Sequence, residues 1–297
     1  MDLTICNEKY LNGIDKMNAL TGLHVLCSTG ALGYQPDLLT SGWLKALAPA
    51  IACDGFELMI YSQWKAEDAR ESPLLRDGNV RFPAAHLSKR LGERYGEGTP
   101  DSIASGHALL RDNCELAHTM GAARAVLHLW GLPHSDDRFG AALDTLGEAL
   151  DIAQEFGVEL LVETLPCRSA PLMERLLQIA QAYPRCRFTA DTRLLHSAGA
   201  LNALLDADWL WDGGHIAHVH ISDCALDEDG RPASHPILQP GQGVIDFTAF
   251  FAGLRRRGYR GSVTLESPAP KLAGGEPDAL ALNRSLAAIR EWLSPPG

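Results

Sequence analysis

The stretch Ile216-Ala217-His218-Val219-His220-Ile221-Ser222-Asp223 alternates apolar and polar residues at period two. As a strand it puts His218, His220 and Ser222 on one face. Two imidazoles then point the same way. Buried rings of this kind are costly unless each finds a partner, and a divalent cation can satisfy several such groups together. Other short apolar segments also end in side chains that an apolar interior does not need, namely His86, His128, Glu163, Asp191 and Glu266. Glu163 and Glu266 each follow an apolar run, where burying a lone carboxylate is strongly unfavourable. Carboxylates combined with an imidazole make an oxygen-rich shell suited to Mn²⁺, Mg²⁺, Co²⁺ or Zn²⁺, and no thiolate cluster argues for a structural zinc instead.

Each residue also has a purely structural explanation. A lone His at a strand end is commonly a hydrogen-bonded core residue, and for His86 and His128 both readings stay open. His218 lies deeper in its strand than His220 and is read as a supporting or packing residue. Glu57 is either a polar plug of the interior or a substrate contact.

The elements that must position these groups alternate along the chain. Gly22 to Ser28, Gly55 to Ile60, Val80 to Leu87, Ala125 to Trp130, Val158 to Thr164, Arg187 to Thr192, Ile216 to Asp223 and Gly261 to Ser267 read as short buried strands. Between and after them lie helical patterns, the clearest being Pro100 to Gly121, Asp136 to Phe156, Pro171 to Ala182, Phe247 to Arg257 and Asp278 to Leu293. Strictly alternating strand and helix demands parallel strands. No Gly-rich dinucleotide fingerprint follows the first strand, and a count of eight favours closure into a single (β/α)₈ barrel over an open sheet. Functional groups then gather at the carboxyl ends of the strands. Residues 1–297 are expected to form one domain, with residues 1–21 a leader packed on or near the barrel. Arg90 to Thr99, rich in glycine and charge, reads as an exposed loop.

The 297 residues are 46% hydrophobic and 21% charged, which suits a globular chain with a large core. A formal net charge of -11 disfavours nucleic-acid backbones and acidic membranes as partners. Cys6, Cys27, Cys53, Cys114, Cys167, Cys186 and Cys224 form no CxxC pair, so a reducing, cytoplasmic setting is expected. No apolar run reaches the length of a membrane span. Whether the chain forms a homo-oligomer stays open.

Leu161-Val162-Glu163-Thr164, Ala190-Asp191-Thr192, His218-Val219-His220-Ile221-Ser222-Asp223, Pro240-Gly241-Gln242-Gly243 with Asp246-Phe247, and Thr264-Leu265-Glu266 resemble, in order and spacing, the xylose isomerase-like barrels. That family includes sugar isomerases, sugar epimerases and apurinic-site nucleases of the endonuclease IV type. The resemblance implies that Glu163, Asp191, His220 and Glu266 bind one divalent metal. It also implies that Glu163 and Glu266 relay a proton next to a sugar carbonyl through an enediolate, as isomerases and epimerases do. Trp64, Trp130 and His134 could then contact the sugar, or simply pack. A keto-inositol dehydratase is one alternative. A metal-dependent apurinic-site endonuclease is another, with His86 and His128 holding an additional zinc that Glu163 bridges. The sequence departs from the family's pattern in two places. Leu194 stands where a His often follows the aspartate by three positions, with His196 two places on. His235 is preceded by Ala233 and Ser234 rather than by the Asp-x-His of the nuclease branch. His196 and His235 therefore remain candidates for a second metal or for substrate, like His86 and His128.

Overall fold

All eight anticipated barrel strands form, and they close on one another. The computed structural model describes residues 23–76 and 80–294, so the leader 1–21 lies outside the described residues. The strands are β1 (Val25–Ser28), β2 (Phe56–Met59), β3 (Ala84–His86), β4 (Arg124–Leu127), β5 (Glu159–Glu163), β6 (Arg187–Asp191) and β7 (Ile216–Ile221). A hairpin of β8 (Asp223–Leu226) and β9 (Pro232–Leu238) follows, and β10 (Ser262–Leu265) completes the barrel. The closed order is β1-β10-β7-β6-β5-β4-β3-β2, with every neighbouring pair parallel. Strands buried on both faces need continuous apolar runs, and Leu160-Leu161-Val162 in β5 is one of them.

Helices cover the outside, and three of the longer ones begin at a residue whose side chain caps them. Thr99 caps Pro100–Thr119 by accepting from the Ser102 amide at 3.2 Å, while the Ser102 hydroxyl accepts in return from the Thr99 amide. Asp246 and Asp278 accept from the amides of Ala249 and Ala281 to start Phe247–Arg256 and Ala279–Leu293. Around the amino-terminal strand ends, Glu159 accepts from Arg124 at 2.9 Å and from Arg187 at 2.8 Å, linking β4, β5 and β6. No helix among the described residues is long and apolar enough to cross a membrane, and the six described cysteines are free thiols.

Two segments differ from the sequence reading. Arg90 to Thr99 is not a loop, because Arg90–Glu97 is helical and buries Leu91, Gly92, Tyr95 and Gly96. Its glycines serve close packing, since a Cβ on Gly92 would lie 2.6 Å from the Trp130 carbonyl oxygen. The β8–β9 hairpin was not anticipated. Pro232 and Pro236 inside β9 hide it, and proline is tolerated there because the ladder is a two-stranded edge.

The loops after β4 and β5 are tied by one carboxylate. Asp136 accepts from the amides of Arg168 at 2.6 Å and Ser169 at 3.1 Å, and from the Arg175 guanidinium at 3.1 Å. Burial alone would raise its pKa, but the Ser169, Arg168 and Arg175 donors outweigh that and hold it well below the usual carboxylate range. Asp136→Asn should therefore destabilise the fold by about 1.5–3 kcal/mol at neutral pH, as a lost set of hydrogen bonds to a charged group does. A group whose pKa is depressed on folding stabilises only above its unfolded value. The gap between wild type and variant in urea denaturation should thus shrink below about pH 4.

Candidate metal centre and active site

Glu163 and Asp191 are the last residues of β5 and β6, His220 is the penultimate residue of β7, and Glu266 immediately follows β10. One ligand atom from each lies within 4.8 Å of the others. His220 Nδ1 stands 2.7 Å from Glu163 Oε1 and 3.5 Å from Glu266 Oε2. Glu163, Asp191 and His220 are buried, while the Glu266 side chain keeps 15% of its surface exposed and so opens the group to the cavity above. Asp191 is held by the Leu194 amide, which donates to Oδ1 at 2.7 Å, and its own amide donates to the Thr164 hydroxyl at 3.0 Å.

The electrostatics of the group fit a cation. Asp191 is pushed up to about 7, first by burial and then by the charges of Glu163 and Glu266. Burial would lower the His220 pKa, yet Glu57 and Glu266 beside it raise it well above the ordinary histidine value. Three carboxylates at such separations repel one another unless positive charge sits among them. When His220 donates its Nε2 proton to Glu57, the neutral ring turns the Nδ1 lone pair toward Glu163 and Glu266, as a metal ligand must.

A second group shares Glu163. His128 Nε2 lies 2.5 Å and His86 Nε2 3.6 Å from Glu163 Oε2, whereas Oε1 of the same carboxylate faces His220. His86 Nδ1 meets the Leu87 carbonyl at 2.8 Å, so that ring's proton is accounted for and its Nε2 is free to accept. Neither Nε2 has an aligned hydrogen-bond partner among the described residues. Burial lowers the His128 pKa, and the Glu163 charge opposes this only in part.

Beneath both groups lies a third, Glu57, His218 and His220. Glu57 Oε2 lies 2.8 Å from His218 Nε2 and 3.1 Å from His220 Nε2, with the Thr264 hydroxyl at 3.4 Å. Burial would raise the Glu57 pKa, but His220 and His218 hold it well below the usual range. Sequence reasoning left Glu57 as a plug or a substrate contact, and its position is that of a brace for the two histidines. The signal was its placement on the second strand, whose inward face must meet that of β7 across the barrel.

The glycine motif also has a local cause. Asp223 accepts from the amides of Gly241 at 3.0 Å, Gly243 at 2.8 Å, Ile245 at 3.2 Å and Cys224 at 2.8 Å, and thereby folds the loop against the end of β7. A Cβ on Gly243 would lie 2.2 Å from the Cys224 carbonyl oxygen. His196 and His235 belong to none of the three groups: His196 lies on the helix Thr192–Ser197 beside a separate small cavity, and His235 is exposed on β9. Trp64 and Trp130 are buried, and their indoles donate to the carbonyls of Pro36 and Pro166. They pack rather than face the cavity, and His134 is half-buried outside the three groups.

A family model described as a xylose isomerase-like TIM barrel matches residues 46–292. The chain belongs to that family. Among curated relatives, it is 25% identical over 255 residues to an L-ribulose 3-epimerase of Methylomonas sp. (strain DH-1), covering 80% of this chain and 82% of the relative. It is 27% identical over 280 residues to the L-ribulose-5-phosphate 3-epimerase UlaE of Salmonella paratyphi C, covering 82% and 91%. Among solved structures, a D-allulose 3-epimerase from Methylomonas sp. in complex with D-allulose shares the fold with a TM-score of 0.66 and 20% identity. That match covers 91% of this chain and 97% of the other. The resemblance drawn from the strand-end motifs, and the closed barrel inferred from eight alternations, are both borne out.

Removing Glu57 strands two buried imidazoles. Glu57→Ala should cost about 3–5 kcal/mol of stability, as removal of one partner from a buried charged network does, and urea denaturation would read it. A loss near zero would show that the histidines do not depend on this carboxylate.

Proposed function

We propose that the chain is a divalent-metal-dependent epimerase of a ketose or ketose derivative. The observation that carries this reading is the convergence of Glu163, Asp191, His220 and Glu266 at the open end of the barrel. Relatives that are themselves sugar epimerases favour epimerisation over isomerisation. A bound divalent cation would polarise the carbonyl and adjacent hydroxyl of the sugar. Mn²⁺, Mg²⁺, Co²⁺ and Zn²⁺ all suit the donor set of three carboxylates and one imidazole.

The remaining chemistry falls to the protein's own carboxylates. Glu163 comes from β5 and Glu266 from the end of β10, with β7 and β6 between them around the barrel, so the two approach a substrate from different directions. One carboxylate removes the proton on the carbon next to the carbonyl. The other returns a proton to the opposite face of that carbon, which inverts it. Glu57 keeps His220 oriented throughout. The barrel floor excludes water from below, so these carboxyls exchange protons with solvent only from the cavity side, where Glu266 is partly exposed.

Epimerisation of a ketose in D₂O should place one deuterium on the inverted carbon. Glu163→Gln and Glu266→Gln should each lower kcat by about 10²–10⁴-fold with the circular dichroism spectrum unchanged, as loss of a positioned acid or base does. Wild-type turnover in either variant would sink the two-carboxylate mechanism, and release of water from a keto-inositol substrate would favour the dehydratase alternative.

One observation favours a second reading. The Nε2 atoms of His86 and His128 both face Oε2 of Glu163, and these three residues could hold a second ion, as a metal-dependent apurinic-site phosphodiesterase would need. The net charge of -11 weighs against a grip on duplex DNA. Elemental analysis of protein purified without chelator should find about one transition metal per chain. About two, together with cleavage of an abasic oligonucleotide, would replace the epimerase reading with the nuclease one.

A further inference from the structure

The cavity above the ligand group carries cations that the fold itself does not employ. It has a volume of about 610 Å³, and Lys89, Arg90 and Arg193 line it together with Glu93, Ser222 and Glu266. The partly buried arginines Arg124, Arg175, Arg187 and Arg257 pair with carboxylates, whereas Arg193, also partly buried, does not. Among the described residues the three cavity cations make no hydrogen bond or ion pair, and the Nε of Arg193 is buried without an acceptor. A buried N–H without an acceptor is an unmet donor, and Arg193 itself lines the cavity, where an anion could meet the rest of its fork.

Position adds to this. Arg193 follows Asp191 by two residues and lies close enough for its charge to act on that carboxyl, so it stands beside the proposed metal group. Lys89 and Arg90 come from the loop and helix that follow β3, and Lys89 lies near Tyr61 and His128. Of the two acids in the cavity, Glu266 belongs to the ligand group and Glu93 is exposed on the helix Arg90–Glu97. In a chain of net charge -11, three unpaired cations gathered over an active-site mouth are not explained by the average surface.

We propose that the substrate carries an anionic group, a phosphate or a carboxylate, held in this cavity by Arg193 with Lys89 as its second contact. The carbon skeleton rests on the epimerase reading, whereas the anion subsite rests on the cations alone. Planar, forked guanidinium donors match both oxyanions in pairs, and Lys89 supplies a more mobile point charge.

The test uses the full-length, metal-loaded protein. Calorimetric titration with inorganic phosphate and with acetate should show binding of at least one anion. Arg193→Gln should weaken that binding by about tenfold, and Arg193→Lys should retain most of it. In turnover, a ketose 5-phosphate or a keto-aldonate should exceed the neutral ketose in kcat/KM by about 10²-fold. The advantage should lie in KM and collapse in Arg193→Gln. The proposal is overturned if neither anion binds the wild type, if Arg193→Gln binds them unchanged, or if the neutral ketose is used as well as both charged ones. It is also overturned if Arg193→Gln lowers kcat equally for all three substrates, because Arg193 would then act through Asp191. If no ketose turns over while anion binding is present and lost in Arg193→Gln, the subsite stands and the epimerase reading fails.

Discussion

Three carboxylates brought within 4.8 Å of one another at the end of a barrel are the constraint on which the rest depends. Glu163 and Asp191 are almost wholly out of water, so their mutual repulsion is weakly screened and the fold must supply positive charge or protons to keep them there. It supplies both. His220 is driven toward the protonated state and Asp191 toward the neutral one, which relieves the repulsion from within the group. The hydrogen bonds beneath, from Glu57 to His218 and His220, then become understandable. They fix the imidazole that must share its Nδ1 edge with two glutamates.

That demand explains why the chemistry sits where it does. Strand β7 alternates side chains, so His218 and His220 both project inward, one layer apart, and only the upper ring reaches the strand-end carboxylates. The lower ring meets Glu57, whose strand β2 comes from the far side of the barrel order. At the other end, the inward polar groups are the paired charges of Arg124, Glu159 and Arg187, which link three strands and face no ligand group. Stability and reactivity are thereby divided between the two ends of one cylinder, as parallel barrels in general divide them.

Much of this was legible in the residues. A glutamate after Leu160-Leu161-Val162 has no business in an apolar strand unless paired, and the double histidine of β7 shows its facing by period alone. The eight alternations led to closure. Less legible were features set by contact with distant backbone. Gly92 and Gly96 read as loop residues because glycine signals turns, yet they are small so that a helix can run against Trp130 and Gly131. The hairpin of β8 and β9 escaped notice because its prolines contradict strand propensity and its residues are largely exposed. For Trp64 and Trp130 the sequence left sugar contact and packing both open, and three-dimensional packing places their rings inside the core. His196 and His235 failed to join the site for a related reason. Their sequence neighbourhood suggests ligands, but one sits on a helix leaving the barrel and the other on an excursion away from it.

Asp223 shapes its motif from a buried position, through backbone amides alone. Its two oxygens gather four amides, and the loop so formed can approach only because Gly243 has no side chain to strike the Cys224 carbonyl. Ser222 and Glu266 line the cavity, and the residues after them are tied to this segment, Asp223 by accepting from its amides and Ser267 by donating to the Leu238 carbonyl at 2.7 Å. Rigid backing matters because a carboxylate that exchanges protons with carbon works over a narrow range of distance, and misplacement by an ångström is enough to lose most of the rate. The Pro240 to Phe247 segment holds this geometry, and Asp246 at its end starts the next helix. Above this frame lies the cavity wall, where Lys89, Arg90 and Arg193 stand on the segments that follow β3 and β6. Such positions can change charge without disturbing the barrel, because they belong to the segments that leave its strands and not to the strands themselves.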